Sequence, residues 1–405
     1  MERLRSVFGI SGSPPGSQPG ARHQSSGLNS QFNGDRLSFA DYVARNRDML
    51  RKAHLKPGDD YLEKRVDGNA PFELHPPVGS PAGQNKPYRR GVLLTHGLTD
   101  SPYFMRHLAA FFQHNGFRVM AILLPGHGTQ PGDLLDVRWQ EWSKTVAYGA
   151  YKLAEEVDEV YLAGYSIGGT LSAYHSLRDS RVRGLFLFSP AIRITPLAAL
   201  ANLHKLCSWF IPSAKWVDIM PDADIYKYES FARNAAAQTY ALTRNLSAQS
   251  RLHELNIPIF TVASSDDATV DTSATLEFIA HARHPSCKLV LYTTEPERSP
   301  PGIPAQRLEL VNSAIPEQKI LSASHLSIVL PADDAHYGAR GEYSNCLHYY
   351  PEDLEKYAAC IKNPATDLQG ETTEKNLKAG ILRRLMYNPN FAALKVSMQR
   401  FVDEL

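Results

Sequence analysis

The chain is short of cysteine, has almost no surplus of charge and contains no long apolar run. Among its 405 residues only Cys207, Cys287, Cys346 and Cys360 are cysteine, and no two form a CxxC pair. Such scattered spacing argues against a zinc site and against a disulfide scaffold. The thiols are expected to be reduced, with Cys346 and Cys360 the two that an oxidising compartment would join. Lysine and arginine number 43 against 42 acidic residues, a net charge of +1. No global field therefore points to nucleic acid or to an anionic membrane. No apolar stretch reaches the ~20 residues of a membrane-spanning helix. The opening MERLRSVFGISGSPPGSQPG lacks the apolar centre of a secretory signal, so a cytoplasmic protein is expected. What is present, 43% hydrophobic residues, suits a globular protein that buries a substantial core.

Residues 1–35 are rich in Ser, Gly, Pro and Gln and read as a flexible tail. Residues 36–88 read as a helix, Leu37 to about Leu55 with Ser38 as its cap, followed by an irregular lead-in with a short edge strand near Phe72. From residue 89 apolar runs alternate with helical patterns. Gly91–Thr95, Phe117–Leu124, Val160–Ala163, Val182–Phe188, Ile257–Ala263 and Lys288–Thr293 read as strands, with shorter ones at Arg307–Val311 and Lys319–Leu321. Tyr103–Asn115, Trp139–Ala154 and Thr170–Leu177 read as helices. This alternation predicts an α/β fold, a mostly parallel central sheet with helices on both faces. It lapses at 193–255, where Trp209, Phe210, Trp216, Met220, Tyr226, Tyr228 and Phe231 lie among short helical patterns. That segment reads as a cap inserted into a core of 89–192 and 256–405. Most of its aromatics should form its own core, and some should line an apolar acyl pocket. The stretch from Glu371 to Leu405 reads as mostly helical.

Chemistry concentrates in VYLAGYSIGGTL, Val160 to Leu171. A strand runs into Gly164-Tyr165-Ser166-Ile167-Gly168 and a helix follows, the setting in which G-x-S-x-G presents a nucleophile on a strained turn. Glycines at 164 and 168 remove bulk two residues from Ser166 on either side, and Gly169 favours close packing of helix on strand. The Ile167 N–H, at the helix start, is placed to receive an oxyanion. A second donor should come from the loop after the first core strand, His96-Gly97-Leu98, through the Leu98 amide. His96 itself and His127, in PGHG, read as structural loop residues.

A serine hydroxyl needs a base, and the base an orienting acid. Asp267 follows the strand Ile257–Ala263 and is the preferred acid; Asp266 is its rival and Asp271 stands third, and any of the three is also suited to cap the helix near Thr272. His325, in SASHLSI, follows the last strands and is the preferred base among fifteen histidines, with His348 and His336 as alternatives.

Together HGLTDSP, LPGHGTQPGDL, GYSIGG, SSDDATVD and SHLS resemble the α/β-hydrolase superfamily in order and approximate spacing, most nearly its bacterial carboxylesterase and monoacylglycerol-lipase branch, over about 90–330. The resemblance implies hydrolysis of a small-molecule carboxylic ester through an acyl-serine, with no metal or organic cofactor. It maps Ser166, Asp267 and His325 to nucleophile, acid and base, and Leu98 and Ile167 to the oxyanion amides. A transient contact with a lipid surface is compatible with it; a nucleic-acid partner is not. Two departures stand out: a longer chain between Lys288–Thr293 and His325, and the segment 330–350. A thioesterase, amidase or acyltransferase would use the same triad. A silent binding protein on this fold would be expected to have lost a triad member, and none is missing.

Overall fold

Apolar runs bounded by amphipathic stretches become parallel strands joined by helices. The structure, a computed structural model, describes residues 19–55, 59–194, 212–250, 255–362 and 367–405. It divides into two compact units, one drawn from Ser17–Phe186 and Pro196–Glu254, the other from Leu187–Thr195 and Leu255–Leu405.

The first unit carries β1 (Phe72–Leu74), β2 (Tyr88–Thr95), β3 (Phe117–Ile122), β4 (Val157–Tyr165) and the start of β5 (Val182–Phe188), in the order β1-β3-β2-β4-β5. β2 pairs parallel to both β3 and β4, so Thr95 lies between Ile122 and Gly164. The short edge strand expected near Phe72 is β1, which pairs antiparallel with β3. Val92, Leu93 and Leu94 are fully buried, which explains why β2 reads as an unbroken apolar run. The helix Trp139–Glu156 turns Trp142, Val146 and Leu153 inward and packs on β2, β3 and β4. Each such side chain contributes on the order of 1.5–3 kcal/mol by leaving water. Trp142 also donates its indole N–H to the Pro125 carbonyl at 2.9 Å.

The expectation of a flexible tail over 1–35 is corrected for its described part. Asp133, fully buried, accepts from the Ser26 amide at 2.6 Å, from the Ser25 and Ser26 hydroxyls, and from Thr129. Asn29 donates to the His127 carbonyl at 2.7 Å while its own carbonyl accepts from Gly126 at 2.6 Å. Phe32 is buried among Tyr42 and Tyr148. Low hydrophobicity was a poor guide because polar anchors and one aromatic ring, not an apolar face, tie this segment down.

Within the same unit, β6 (Trp216–Asp218) and β7 (Phe231–Ala232) form an antiparallel pair, and the helix Arg233–Ser250 packs on Trp139–Glu156 and Ile167–Ser176. Trp216, Met220, Tyr226, Tyr228 and Phe231 are buried. Tyr226 stacks on Tyr103 with ring centroids 3.9 Å apart and lies so close to Gly68 that a Cβ there would stand 2.0 Å from its ring. Trp209 and Phe210 lie outside the described residues.

The second unit carries β8 (Ile259–Ser264), β9 (Lys288–Thr293) and β10 (Leu308–Asn312), parallel and in that order. The strand expected at Lys319–Leu321 is only a pair of isolated bridges at Ile320, because Pro316 and the positive φ of Lys319 bend the chain there. The expected helical tail also gives way in part: β11 (Leu368–Gly370) and β12 (Leu382–Arg384) pair in parallel around the single turn Glu374–Leu377, before the helix Phe391–Asp403. A second correction concerns the thiols. Cys346 and Cys360 are joined by a disulfide, their Cα atoms 6.1 Å apart. The turn Leu347–Tyr349 and the helix Leu354–Lys362 fold around Tyr349, with Tyr357 and Ile381 against them, and so bring together residues fourteen apart in sequence. Cys287 is a buried free thiol, and burial pushes its ionisation up. Cys207 lies outside the described residues.

Candidate active site

Two groups of side chains, one in each unit, hold the residues singled out from the sequence. In the first unit, β4 ends at Tyr165 and the helix Ile167–Ser176 begins directly after Ser166. Ser166 has φ 54° and ψ −119°, a backbone conformation that costs a non-glycine residue of order 1–3 kcal/mol and persists only when its surroundings enforce it. Gly164 and Gly168 supply that enforcement. A Cβ on Gly164 would lie 2.2 Å from the Gly168 carbonyl, and one on Gly168 would lie 2.1 Å from the Thr95 carbonyl at the end of β2. The turn can close on β2 only because both side chains are absent. Ser166 is buried, only 7% exposed.

The loop after β2 is equally constrained. A Cβ on Gly97 would meet Asp100 at 2.3 Å and the Tyr165 ring at 3.0 Å, and Thr99 has φ 66°. His96 accepts from the Leu124 amide through Nε2 at 3.1 Å, so Nδ1 carries the proton and donates to the Gly97 carbonyl at 2.8 Å. Burial, reinforced by neighbouring His127, holds His96 well below the usual imidazole range. His127, anchored on Pro125 and stacked near Tyr228, is lowered to about 4 by burial. Both rings are neutral hydrogen-bonding struts at neutral pH, the local roles read from the sequence. Leu98 follows Gly97 in the first of these loops, and Ile167 opens the helix after Ser166.

In the second unit β8 delivers Ser264-Ser265-Asp266-Asp267. Asp267 Oδ1 accepts from the Thr269 and Val270 amides at 2.7 and 2.9 Å, and Oδ2 lies 2.6 Å from His325 Nδ1. The three rival aspartates separate by geometry. Asp267 meets His325. Asp266 turns toward Ser265 and Thr294, and burial raises its ionisation. Asp271 caps the helix Thr272–Ala280 by accepting from the Ser273 amide at 3.0 Å.

His325 opens a single 3-10 turn whose start is locked by reciprocal Ser324 and Ser327 bonds. The alternative histidines lie elsewhere. His336 pairs with Glu342 at 3.1 Å among Tyr337 and Tyr343. His348 lies against Tyr349 and is held down to about 4, first by burial and then by the charge of Arg384.

Sequence reasoning missed Glu371 and Arg384. Glu371 is fully buried, accepts from the His325 backbone amide at 2.9 Å and receives Arg384 on both oxygens, at 2.7 and 3.0 Å. Burial would raise its ionisation, but Arg384 and the amide donors outweigh that and hold it below the usual carboxylate range. No local pattern marks either residue. Both lie in the stretch from Glu371 to Leu405 that reads as mostly helical.

The chain belongs to the hydrolase family described as serine aminopeptidase, S33, whose model matches residues 86–294, just over half of its length. Its fold is the α/β-hydrolase fold. The matched span includes Ser166 and Asp267 and ends before His325. Among curated relatives it is similar to a thermostable monoacylglycerol lipase of Bacillus sp. (strain H-257), 33% identical over 27% of this chain and 44% of the relative. It is also similar to a carboxylesterase of Bacillus subtilis (strain 168), 31% identical over 20% of this chain and 34% of that one. It thus spans less than half the length of the curated relatives it matches. Among solved structures, one described under two metagenome-derived lipolytic enzymes, LipS and LipT, is 21% identical with a TM-score of 0.46, covering 55% of this chain and 87% of that one. A soluble variant of the Saccharomyces cerevisiae monoglyceride lipase is 15% identical with a TM-score of 0.41, covering 55% of this chain and 82% of that one.

Proposed function

We propose that this chain is a serine hydrolase that cleaves carboxylic esters, acyl glycerols or lysophospholipids among them, through an acyl-serine. The observation that carries this reading is the strained backbone of Ser166, held on its turn by two glycines that tolerate no Cβ. The 2.6 Å contact of Asp267 with His325 supports it from the second unit. In the proposed cycle Ser166 Oγ attacks the acyl carbon and its proton passes to His325 Nε2. The oxyanion is received by the Leu98 and Ile167 amides. The imidazolium returns the proton to the departing alcohol oxygen, and water, deprotonated in turn by His325, hydrolyses the acyl-serine. Asp267 holds Nδ1–H and so fixes the tautomer in which Nε2 is the accepting nitrogen. On this reading the segment 193–255 remains a cap insertion that contributes apolar surface for the acyl chain.

A series of p-nitrophenyl esters of increasing acyl length, read beside fluorophosphonate labelling, tests the reading. Ser166→Ala should abolish labelling and lower kcat by about 10⁶-fold, and His325→Ala should match it. His348→Ala should stay within a few-fold of the parent. Full-rate hydrolysis by Ser166→Ala would remove the nucleophile assignment. Because the family takes its description from an aminopeptidase, an aminoacyl p-nitroanilide belongs in the same assay. Turnover of that amide in preference to every ester would move the substrate class from esters to amides.

No described helix is long and apolar enough to cross a membrane. The cytoplasmic placement proposed from the N-terminus conflicts with the Cys346–Cys360 bond, since such bonds persist mainly in oxidising compartments. Thiol counting on protein taken directly from fractionated cells decides between them: a bonded pair places the chain outside the cytosol.

A further inference from the structure

The segment after His325 lies beyond the residues 86–294 that the family model matches, and it buries an ion pair against the proposed acid–base residues. Glu371 precedes the short turn Glu374–Leu377 and Arg384 ends β12. The guanidinium takes both Glu371 oxygens through Nε and Nη2, and Nη2 also donates to Thr269 Oγ1 at 2.5 Å. Thr269 in turn gives its amide to Asp267 Oδ1 at 2.7 Å. On the other side, Glu371 Oε2 accepts the His325 amide at 2.9 Å. One ion pair therefore holds the His325 backbone on one side and the Thr269 hydroxyl, in the Asp267 loop, on the other.

Glu371 cannot itself serve a substrate. Its oxygens already accept from the His325 and Thr372 amides, from the Thr372 hydroxyl and from two guanidinium N–H groups. A buried ion pair of this kind contributes little net stability over an apolar replacement; its attested use is to specify one arrangement. We propose that Glu371 and Arg384 are positioning residues that hold His325 and Asp267 in the geometry needed for proton transfer, and that this chain's C-terminal segment thereby completes the acid–base half of its site. The inference rests on the triad reading given above.

The test uses the full chain with p-nitrophenyl butyrate. Glu371→Gln keeps an oxygen for the His325 amide and removes the charge that fixes Arg384. Arg384→Lys keeps the charge and removes the fork. Thr269→Val, half-buried and isosteric, cuts only the link from Arg384 to the Asp267 loop. In both charged-pair variants kcat should fall about 10- to 100-fold, the cost of a roughly 1 Å misplacement. KM should stay within about twofold, with the parental fold confirmed by circular dichroism at the assay temperature. Thr269→Val should lose several-fold and carries the prediction if the other two do not fold. On a His325→Ala background Glu371→Gln should cost nothing more, because its effect passes through the imidazole. A purely structural role would add its loss on either background. Parental kcat in all three single variants, or a further tenfold loss on the His325→Ala background, overturns the positioning role alone. Parental kcat in His325→Ala overturns the triad reading and this inference with it.

Discussion

The two halves of the proposed site are built by opposite means. The nucleophile's half is made of backbone: Gly97, Gly164 and Gly168 allow close approaches that no other residue permits, and Ser166 is strained by its neighbours in sequence. The acid–base half is made of side chains. Asp267, His325, Glu371 and Arg384 come from four separate stretches, and each is fixed by hydrogen bonds to the others or to their loops. A backbone device tolerates no added atom but asks little of its distant surroundings. A side-chain device tolerates conservative change at single points and depends on every segment that reaches it.

Three experiments press on that contrast. The largest effect should come from Asp267→Asn, which keeps the shape and reverses the demand on the imidazole tautomer: kcat should fall about 10⁴-fold. Asp266→Asn should stay within several-fold. Equal losses in the two would undo the geometric choice between them. Next comes Gly168→Ala. Its added methyl meets the Thr95 carbonyl, a backbone atom that cannot swing aside, so the helix Ile167–Ser176 must shift. Thermal or urea denaturation should show a loss of about 1–3 kcal/mol or more, with activity falling further than stability. An active, stable Gly168→Ala would show that the turn is not enforced by close approach.

The smallest effect is on acid stability. His127 in the first unit and His348 in the second are both held near pH 4, against an ordinary value of 6.5. The folded state therefore binds fewer protons than the unfolded state between those values. The stabilisation is fully present above about pH 6.5 and is lost as pH falls toward 4. Urea midpoints at pH 7 and pH 4.5 should differ accordingly, and His127→Asn should flatten part of that slope. An unchanged slope in the variant would mean that its ring is not the group being protonated.

Legibility followed the same division. The strands Val182–Phe188 and Lys288–Thr293 stand where their apolar runs place them, and β2, β4 and the helix after Ser166 differ from expectation only at their ends. Residues 19–35 misled because their anchoring is polar: Asp133, which binds Ser25 and Ser26, is more than a hundred residues away. Arg384 misled because the short stretch Leu382–Arg384, set between two helical segments, carries no clear period of its own; only pairing with β11 makes it a strand.

By itself the sequence determined the fold family and the turn that carries Ser166, because both depend on residues a few positions apart: apolar runs that must be buried, and glycines where no Cβ fits. The tertiary structure alone brought Asp267, and not Asp266, to His325, joined Cys346 to Cys360, set Glu371 against His325 and paired it with Arg384. Those outcomes depend on contacts across 13 to 115 residues of chain, and hydrogen bonds at that range leave no periodic trace in the sequence.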